Sequence, residues 1–180
     1  MDNNTSIETK SVVQTTQFLT FIMAKEEYGV AILDVQEIRG WEPCTEIPNM
    51  PAYVKGVINL RGTIVPIIDL RQKFGLKNVE YSAVTVVIVV KVLVQDKSKI
   101  MGLVVDAVSD VHTIAHSEIN LPPQLCNENE PNVIRGLVSI QGKMVILLNS
   151  SLLLDLNQFQ ALEHLNAQVM PSEQALVKSE

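Results

Sequence analysis

The feature that most constrains this chain is an internal repeat. The segment YVKGVINLRGTIVPIIDL at 53–70 returns as VIRGLVSIQGKMVILLNS at 133–150, and adding 80 aligns the glycines and most of the apolar positions. Because glycine supplies the positive φ of a tight hairpin, each segment is predicted to turn at its second glycine. At that turn the copies differ in charge, since Arg61 corresponds to Gln141. The aligned glycines are Gly56 with Gly136 and Gly62 with Gly142.

The repeat extends upstream of these two hairpins. The segment IMGLVVDAVSDV resembles EYGVAILDVQEI, and adding 73 carries Gly29 onto Gly102 and Ile38 onto Val111. Each copy therefore holds about four or five short strands with turn signals between them, and the second copy begins near residue 83. Short strands of that number close into small barrels, because closure removes exposed edges. The duplication predicts a mainly β protein made of two similar small barrels.

The composition agrees with an aliphatic, β-rich core. Hydrophobic residues make up 47% of the 180 residues but aromatic residues only 4%, and Val and Ile favour strands. The net charge of −6 argues against a nucleic-acid partner, which usually meets a basic face. The apolar stretch at 83–94 is too short to cross a bilayer, and the polar start MDNNTSIETK is no secretory signal. With two cysteines, Cys44 and Cys126, and no disulfide framework, we expect a cytoplasmic protein without direct membrane insertion.

Local patterns predict the elements of the first half. FLTFIM, AKEE and YGVAIL predict a hairpin that starts near Phe18. In DVQEIRG, Val35 and Ile38 stand three apart, which favours a short helix that ends at Gly40. Residues 1–16 are rich in Asn, Thr, Ser and Gln without sustained periodicity, so we expect a flexible tail there.

The C-terminal region departs from the repeat. From Ser150 onward, leucine and phenylalanine recur at helical spacing with polar residues between them. This pattern predicts an amphipathic helix over 150–170 with a serine N-cap. Residues 171–180 are expected to form a second flexible tail.

The sequence offers little chemistry for catalysis. It has no phosphate-binding glycine loop, no GxSxG motif and no CxxC motif. His112 and His116 have a spacing that suits a metal on a helix, but no accompanying ligand pattern, so ordinary surface histidines fit better. Asp106 and Asp110 fit turn or cap residues better than a catalytic pair, and a weak hydrolase using Asp69 or Asp106 is only a minor alternative. We expect no enzyme activity, no cofactor and no metal.

Arg61 carries the clearest functional asymmetry between the copies, and two interpretations stay open. It is either a hairpin-tip residue, solvated or paired with a nearby acid such as Glu37, or an anchor for a partner protein. Arginine is enriched at the residues that dominate binding energies. Because Gln141 occupies the equivalent turn, the turn itself tolerates an uncharged residue, which favours the anchor.

Four stretches of the chain together resemble the CheW-like domain family of bacterial chemotaxis coupling proteins. They are EEYGVAILDVQEIRG, PAYVKGVINLRGTIVPIIDLRQKFG, TVVIVV and GLVVDAVSDV, within residues 17–156, and the NLRG-x-IVP-x-x-DLR core is the most specific. The resemblance implies two intertwined SH3-like five-stranded β-barrels. It also implies an adaptor that joins the cytoplasmic tips of chemoreceptors to the regulatory domain of the histidine kinase CheA in membrane-associated arrays.

The resemblance further assigns residues to two interfaces. It implies that a groove between the barrels takes the helical hairpin tip of a receptor. A Glu37–Arg61 salt bridge within the fold is a rival explanation for both charged residues. The implied receptor-binding residues are Arg61, Ile64, Val86, Met101, Gly102 and Val111, and the implied kinase-binding residues are Val35, Glu37 and Ile38.

Two further functions stay open at this point. One is a small-ligand-binding β-barrel protein, which needs a concave, partly polar cavity. The other keeps the adaptor role but places it in a chemosensory pathway that does not drive flagella.

Overall fold

The structure is a computed structural model that describes residues 13–122, 132–154, 157, 158, 160, 161 and 164. Within these residues the chain forms ten strands, and the two copies of the repeat contribute five each. The first copy forms β1 Thr15–Met23, β2 Glu26–Ala31, β3 Val35–Gly40, β4 Val54–Leu60 and β5 Thr63–Asp69, followed by the one-turn helix α1 Leu70–Lys73. The second copy forms β6 Val86–Val94, β7 Lys97–Val105, β8 Ala107–Ala115, β9 Ile134–Ile140 and β10 Lys143–Leu148.

The ten strands make two five-stranded sheets that exchange hairpins. Sheet I has the order β8-β1-β2-β10-β9, and sheet II has the order β3-β6-β7-β5-β4. Each sheet therefore combines the first hairpin of one copy with the last three strands of the other. The exchanged hairpin joins its sheet on both sides. One contact is a parallel pair, β2 with β10 or β7 with β5, and the other is an antiparallel pair, β1 with β8 or β6 with β3.

The predicted duplication is confirmed at the level of strand register. In sheet I, Gly29 lies opposite Leu147, and in sheet II, Gly102 lies opposite Ile67. Adding 73 carries the first glycine onto the second, and adding 80 carries Ile67 onto Leu147. The two sheets thus repeat the same pairing, and the mainly β, two-barrel architecture expected from the repeat is confirmed.

The predicted hairpins are present with two-residue turns. Arg61 and Gly62 have φ of 50° and 86°, and Gln141 and Gly142 have φ of 50° and 79°. Positive φ at both turn positions is the geometry that matches the twist of the flanking strands. Since Arg61 and Gln141 adopt the same backbone, the arginine charge is not needed to form the turn.

The short helix predicted over DVQEIRG is wrong, because these residues form β3 on the edge of sheet II. A single 3₁₀ turn, Ile32–Asp34, precedes the strand. A β-bulge between Val35 and Glu37 shifts the register, so Val35 and Ile38 lie opposite Val90 and Ile88 on one face of β6 although they are three apart. Val35 packs on the core, and Ile38 is 48% exposed. The bulge produced the three-residue spacing that imitated a helical turn.

Both ends of the described chain also differ from expectation. Strand β1 begins at Thr15, inside the predicted tail, because Thr15 pairs with Ala115 on β8. After β10 the chain enters a 3₁₀ turn, Ser150–Leu152, whose cap is the Asn149 side chain rather than a serine. The remainder of the predicted tail at 1–12, most of the predicted helix at 150–170 and the tail at 171–180 lie outside the described residues.

Aliphatic side chains fill three clusters, one between the sheets and one within each barrel. On β6, Ile88 and Val90 point into the cluster between the sheets, while Val87 and Val89 point into the interior of sheet II. The strand is therefore buried on both faces, which explains its nearly unbroken apolar sequence. The cluster between the sheets is the largest of the three.

The chain passes from one sheet to the other at two crossovers. One is the 3₁₀ turn between β2 and β3, and the other is Asp106 alone, between β7 and β8. The Asp106 carboxylate accepts hydrogen bonds from the Nε and Nη2 atoms of Arg71, which lies on α1, and from the backbone N–H of Ala24. Burial raises the pKa of the Asp106 carboxyl, but the Arg71 guanidinium and the Ala24 amide lower it by more. The pKa therefore lies below its ordinary value of 3.8.

The substitution Asp106→Asn tests this ion pair. It should lower the free energy of unfolding by about 1–3 kcal/mol near neutral pH, because a partly buried arginine loses its charged partner. The Asp106 pKa is lower in the folded than in the unfolded protein, so this stabilisation is complete above about pH 4 and is lost as the pH falls through the folded pKa. Urea unfolding between about pH 3 and 8 should show the gap from wild type closing at the acid end. The exposed-turn control Asp96→Asn should show no such gap, and an Asp106→Asn gap that does not narrow as the pH falls below about 4 would contradict the assignment.

Gly56 is required by a close backbone contact that the repeat preserves. Thr45 and Val57 exchange backbone hydrogen bonds of 2.9 and 2.8 Å beside it, joining the chain after β3 to β4. A Cβ on Gly56 would lie 2.2 Å from the Thr45 carbonyl oxygen, and its φ is +144°. The equivalent contact in the other copy sets Gly136 against Asn120.

We therefore expect Gly56→Ala to destabilise the protein far more than Gly62→Ala. The first forces the Thr45 backbone to move and should cost about 3 kcal/mol or more. The second places its methyl group in open space at a φ of +86°, so only backbone strain of about 1–2 kcal/mol remains. Urea unfolding of both variants gives the comparison, and equal losses would show that the contact with Thr45 does not determine the choice of glycine.

Candidate partner-binding surface

Arg61 stands at the tip of the β4–β5 hairpin and forms an ion pair with β3. Its side chain is 83% exposed, and its Nη2 donates to Oε2 of Glu37 at 3.0 Å. The Glu37 side chain is 26% exposed, so the acid is the more sheltered member of the pair. The salt bridge that the sequence left as a rival explanation for these residues is present.

The ion pair belongs to a larger charged network. Arg39 lies 3.8 Å from Glu37 and donates a hydrogen bond of 2.8 Å to Glu42. Glu37 and Arg39 share one face of β3, because they lie opposite Val89 and Val87 of β6. We call Arg61, Glu37, Arg39 and Glu42 the charged network; its formal charges sum to zero, as two arginines oppose two glutamates.

An apolar groove begins where the charged network ends. It has a volume of about 610 Å³ and lies between the 42–48 loop and the β4–β5 hairpin. Its lining combines the charged side chains of Arg39, Glu42 and Glu46 with the apolar side chains of Ile47, Val57, Ile58 and Ile64. We call this the loop groove. A groove that combines apolar and charged side chains can hold the apolar face of a helix and orient it through a polar contact.

The structure brings some of the predicted site residues together. Arg61 and Glu37 are in contact, although the resemblance assigned them to different partners, and Ile64 lines the loop groove beside them. Ile38 is exposed on the opposite face of β3 from Glu37. Of the predicted residues, Arg61 and Ile64 of the β4–β5 hairpin therefore lie close to Glu37 and Ile38 of β3.

Other predicted residues lie elsewhere. Met101 is fully buried in the cluster between the sheets, and Gly102 packs against Ile67 and Val87. Strand β7, which carries both, lies in the middle of sheet II with β6 and β5 on either side, so in this structure neither residue presents a side chain to a partner.

The remaining three predicted residues are split between the sheets. Val111 is 41% exposed on β8 of sheet I, and it corresponds to the exposed Ile38 of sheet II through the offset of 73. Val86 is half-buried at the start of β6, and Val35 is half-buried against the core. Val111 thus lies on a different sheet from Arg61 and Ile64.

Arg39 and Glu42 are the site residues that sequence reasoning missed. In a strand, side chains two apart share a face, so Glu37 and Arg39 are placed side by side by a period of two. The sequence EIRGWE carries that signal, but the short helix predicted for this segment put the two residues on different faces. Recognising β3 as a strand would have placed Arg39 beside Glu37.

The carboxylates considered for catalysis have structural partners. The Tyr81 hydroxyl donates to Asp69 at 2.5 Å, and Asp69 also caps α1 by accepting from the backbone N–H of Gln72. Burial, and next the hydrogen bond to Asp69, raise the pKa of the Tyr81 hydroxyl. Asp106 is engaged by Arg71, and the side chain of His116 is hydrogen-bonded to Thr16 at 2.8 Å.

No group of three or more His, Cys, Asp or Glu side chains in the described part of the chain is arranged to hold a metal ion. Over the same residues, no helix has the length and the apolar character that crossing a membrane requires.

Comparison with known proteins gives a consistent result. The family model of the CheW-like domain matches residues 17–158. The chain is 44% identical over 138 residues to chemotaxis protein CheW of Klebsiella aerogenes, which covers 77% of this chain and 81% of that protein. It is 41% identical over 132 residues to chemotaxis protein CheW of Rhizobium meliloti, covering 73% and 83%.

A solved structure shares the fold as well as the sequence. The crystal structure of the scaffolding protein TtCheW from Thermoanaerobacter tengcongensis matches with a TM-score of 0.69 and 32% identity, over 80% of this chain and 90% of that one. The family match spans most of the ten strands, and the relatives exceed 40% identity over nearly the same span. This chain belongs to the CheW-like domain family.

Proposed function

We propose that this protein is a non-enzymatic chemotaxis adaptor that couples the cytoplasmic tips of chemoreceptors to the regulatory domain of the histidine kinase CheA. Its relatives carry the name chemotaxis protein CheW, and the related solved structure is that of a scaffolding protein. In this proposal the protein works in the cytoplasm, is recruited to membrane-associated receptor arrays, and changes kinase activity by assembly. The observation that carries the proposal is an exposed, pre-oriented Arg61 beside an apolar groove.

The ion pair between Arg61 and Glu37 is weak enough for a carboxylate of a partner to take the place of Glu37. A surface salt bridge contributes about 0–1 kcal/mol, so a partner carboxylate can replace Glu37 at little expense. Until then Glu37 limits the conformations of the arginine, which lowers the entropy lost on binding. The loop groove next to it supplies apolar contact area for the side chains of a helix.

The proposal divides the surface between two partners. Ile64 contacts the receptor helix inside the loop groove, and Arg61 contacts it from the tip of the same hairpin. Val86 on β6 and Val111 on β8 of sheet I are further receptor contacts outside this groove. The kinase contacts the outer face of β3 through Ile38, with Glu37 and Val35 supporting that strand. Because Glu37 belongs to both the kinase side and the Arg61 pair, binding of one partner alters the contacts available to the other.

Charge reversal at Arg61 tests partner binding, and the equivalent turn of the second copy supplies the control. Arg61→Glu should keep binding CheA but lose at least about tenfold in affinity for a receptor cytoplasmic fragment, because it reverses the charge of a hot-spot residue. Gln141→Glu makes the equivalent change in the other copy and should bind both partners as wild type does. Pull-downs with purified partners give the measurement, with circular dichroism recorded on each variant.

Three results would count against these assignments. Early melting of Arg61→Glu, or loss of both partners, would make Arg61 a structural residue. Equal receptor binding by wild type and Arg61→Glu would remove Arg61 from the interface. If the wild-type protein binds neither CheA nor the receptor fragment, the adaptor proposal itself fails.

Neutralising Arg61 tests whether the residue contributes to stability as well as to binding. Arg61→Gln should change the free energy of unfolding by no more than about 1 kcal/mol, because the arginine is 83% exposed. Arg71→Gln is the matched control, since it also removes an arginine from a carboxylate but at a side chain only 13% exposed, and it should cost more. Urea unfolding measures both, and an Arg61→Gln loss as large as the Arg71→Gln loss would rule out a purely functional arginine.

A small-ligand-binding protein is the second candidate function, and the size of the loop groove favours it. A volume of about 610 Å³ lies inside the range of about 300–1,000 Å³ that is typical of ligand pockets. Thermal melting with a panel of small molecules, in the absence of protein partners, tests it. Stabilisation by one of them that is lost in Ile64→Glu would support this function, and no stabilisation by any would argue against it.

A further inference from the structure

The two crossovers between the sheets are equivalent in topology but differ in chemistry. Adding 73 carries Leu33, the middle residue of the first crossover, onto Asp106, which forms the second. Leu33 is 91% exposed. Adding 80 carries Arg71 onto Ser151, so the residues that form an ion pair at one crossover correspond to a leucine and a serine at the other. The first crossover therefore has no ion pair at the two equivalent positions; its own carboxylate, Asp34, interacts with Ser150 and Arg135 instead.

The Asp106 carboxylate is bonded to both sheets at once. On the side of sheet I, the carboxylate Oδ2 accepts from the Ala24 backbone N–H at 3.0 Å, and the Asp106 backbone N–H donates to the Ile22 carbonyl at 3.1 Å. On the side of sheet II, Arg71 approaches from α1, directly after β5, and donates through Nε at 2.6 Å and through Nη2. A third donor of Arg71, Nη1, binds the Lys77 carbonyl at 2.8 Å and holds the guanidinium plane.

This contact is directional, whereas the packing between the sheets is not. Hydrophobic burial scales with area and permits small sliding and rotation of packed surfaces. A bidentate arginine–carboxylate pair constrains both distance and orientation, because two parallel donors must meet two oxygens. The Arg71 side chain is 13% exposed, so water competes weakly for the contact.

We propose that Arg71 and Asp106 are positioning residues that clamp the two barrels at one relative orientation. The clamp acts where the chain itself crosses from sheet II to sheet I, so it restrains the motion at its pivot. Its consequence for signalling rests on the proposed function. The clamp holds Arg61 on sheet II and Val111 on sheet I in the arrangement that the assembly with receptor and kinase requires. The relative orientation of the barrels does not depend on that function and can be measured alone.

Spin-label distances between the sheets test the clamp directly. One label replaces the exposed Lys91 on β6 and the other the exposed Ser139 on β9, in a background where Cys44 and Cys126 are serine. Asp106→Asn keeps an oxygen acceptor for the Ala24 amide but removes the charge. It should shift or broaden the distance distribution by on the order of 1–2 Å, the scale of small rearrangements at packed interfaces.

Two further variants keep the result interpretable. Val145→Ala removes volume from the interior of sheet I, away from the crossover, so it should lower the melting temperature without changing the distance distribution. Arg71→Lys keeps the charge but not the two-point contact, so it should reproduce the change caused by Asp106→Asn while retaining more stability. Wild-type distributions in both clamp variants, or an equal change in Val145→Ala, would overturn the proposal.

The signalling consequence has its own readout. Asp106→Asn should bind CheA as wild type does, since the proposed kinase surface lies on β3 alone. It should form the three-component assembly about 5–150-fold less well, because the proposed receptor surface includes Arg61 on sheet II and Val111 on sheet I. If Asp106→Asn changes the spin-label distances but forms the three-component assembly as well as wild type does, the clamp sets the orientation of the barrels without affecting assembly. That result would overturn its role in coupling. If wild type binds neither partner, the proposed function fails while the distance measurement still decides whether the clamp exists.

Discussion

Burial of aliphatic side chains between the two sheets is the interaction on which the rest of the structure depends. The cluster includes Phe21 and Val30 from sheet I and Ile88, Met101 and Leu103 from sheet II, all fully buried. The central strands are covered on both faces, once by their own barrel interior and once by the other sheet. Because each sheet borrows a hairpin from the other copy, neither copy can bury its apolar surface without its counterpart. The two barrels are therefore one folding unit despite their separate interiors.

Two arginine–carboxylate pairs on this framework differ in exposure and, for that reason, in what they can do. Arg61 and Glu37 meet in water, where the pair adds little to stability and can be exchanged for a partner's charge. Arg71 and Asp106 meet in a sheltered position with backbone groups from both sheets around them, where the pair resists displacement. The Arg61–Glu37 pair is therefore suited to binding a partner, and the Arg71–Asp106 pair is suited to positioning the binding surfaces.

Much of the fold was readable from local pattern, and the failures have physical causes. Hairpin turns such as Arg61-Gly62 depend on backbone conformations that glycine favours, so composition and spacing revealed them. The β3 strand was mistaken for a helix because its bulge between Val35 and Glu37 breaks the period of two, and only pairing with β6 defines it. The same error concealed Arg39 from the candidate site. The family resemblance places Met101 among the receptor-binding residues, whereas the structure buries it between the sheets, because the packing of the two sheets decides which positions on β7 are covered.

The sequence by itself determined the duplication, the strand-rich aliphatic core, the turns and the identity of the asymmetric arginine. These properties follow from residue type and from contacts between near neighbours in the chain. Only the tertiary structure decided which sheet each hairpin joins, which face of each strand meets solvent, and which charges meet. The offsets of 73 and 80 are the same whether the copies fold side by side or exchange hairpins, because a repeat specifies equivalent strands but not their partners. The exchange, the charged network and the Arg71–Asp106 contact arise from long-range packing, which no local pattern encodes.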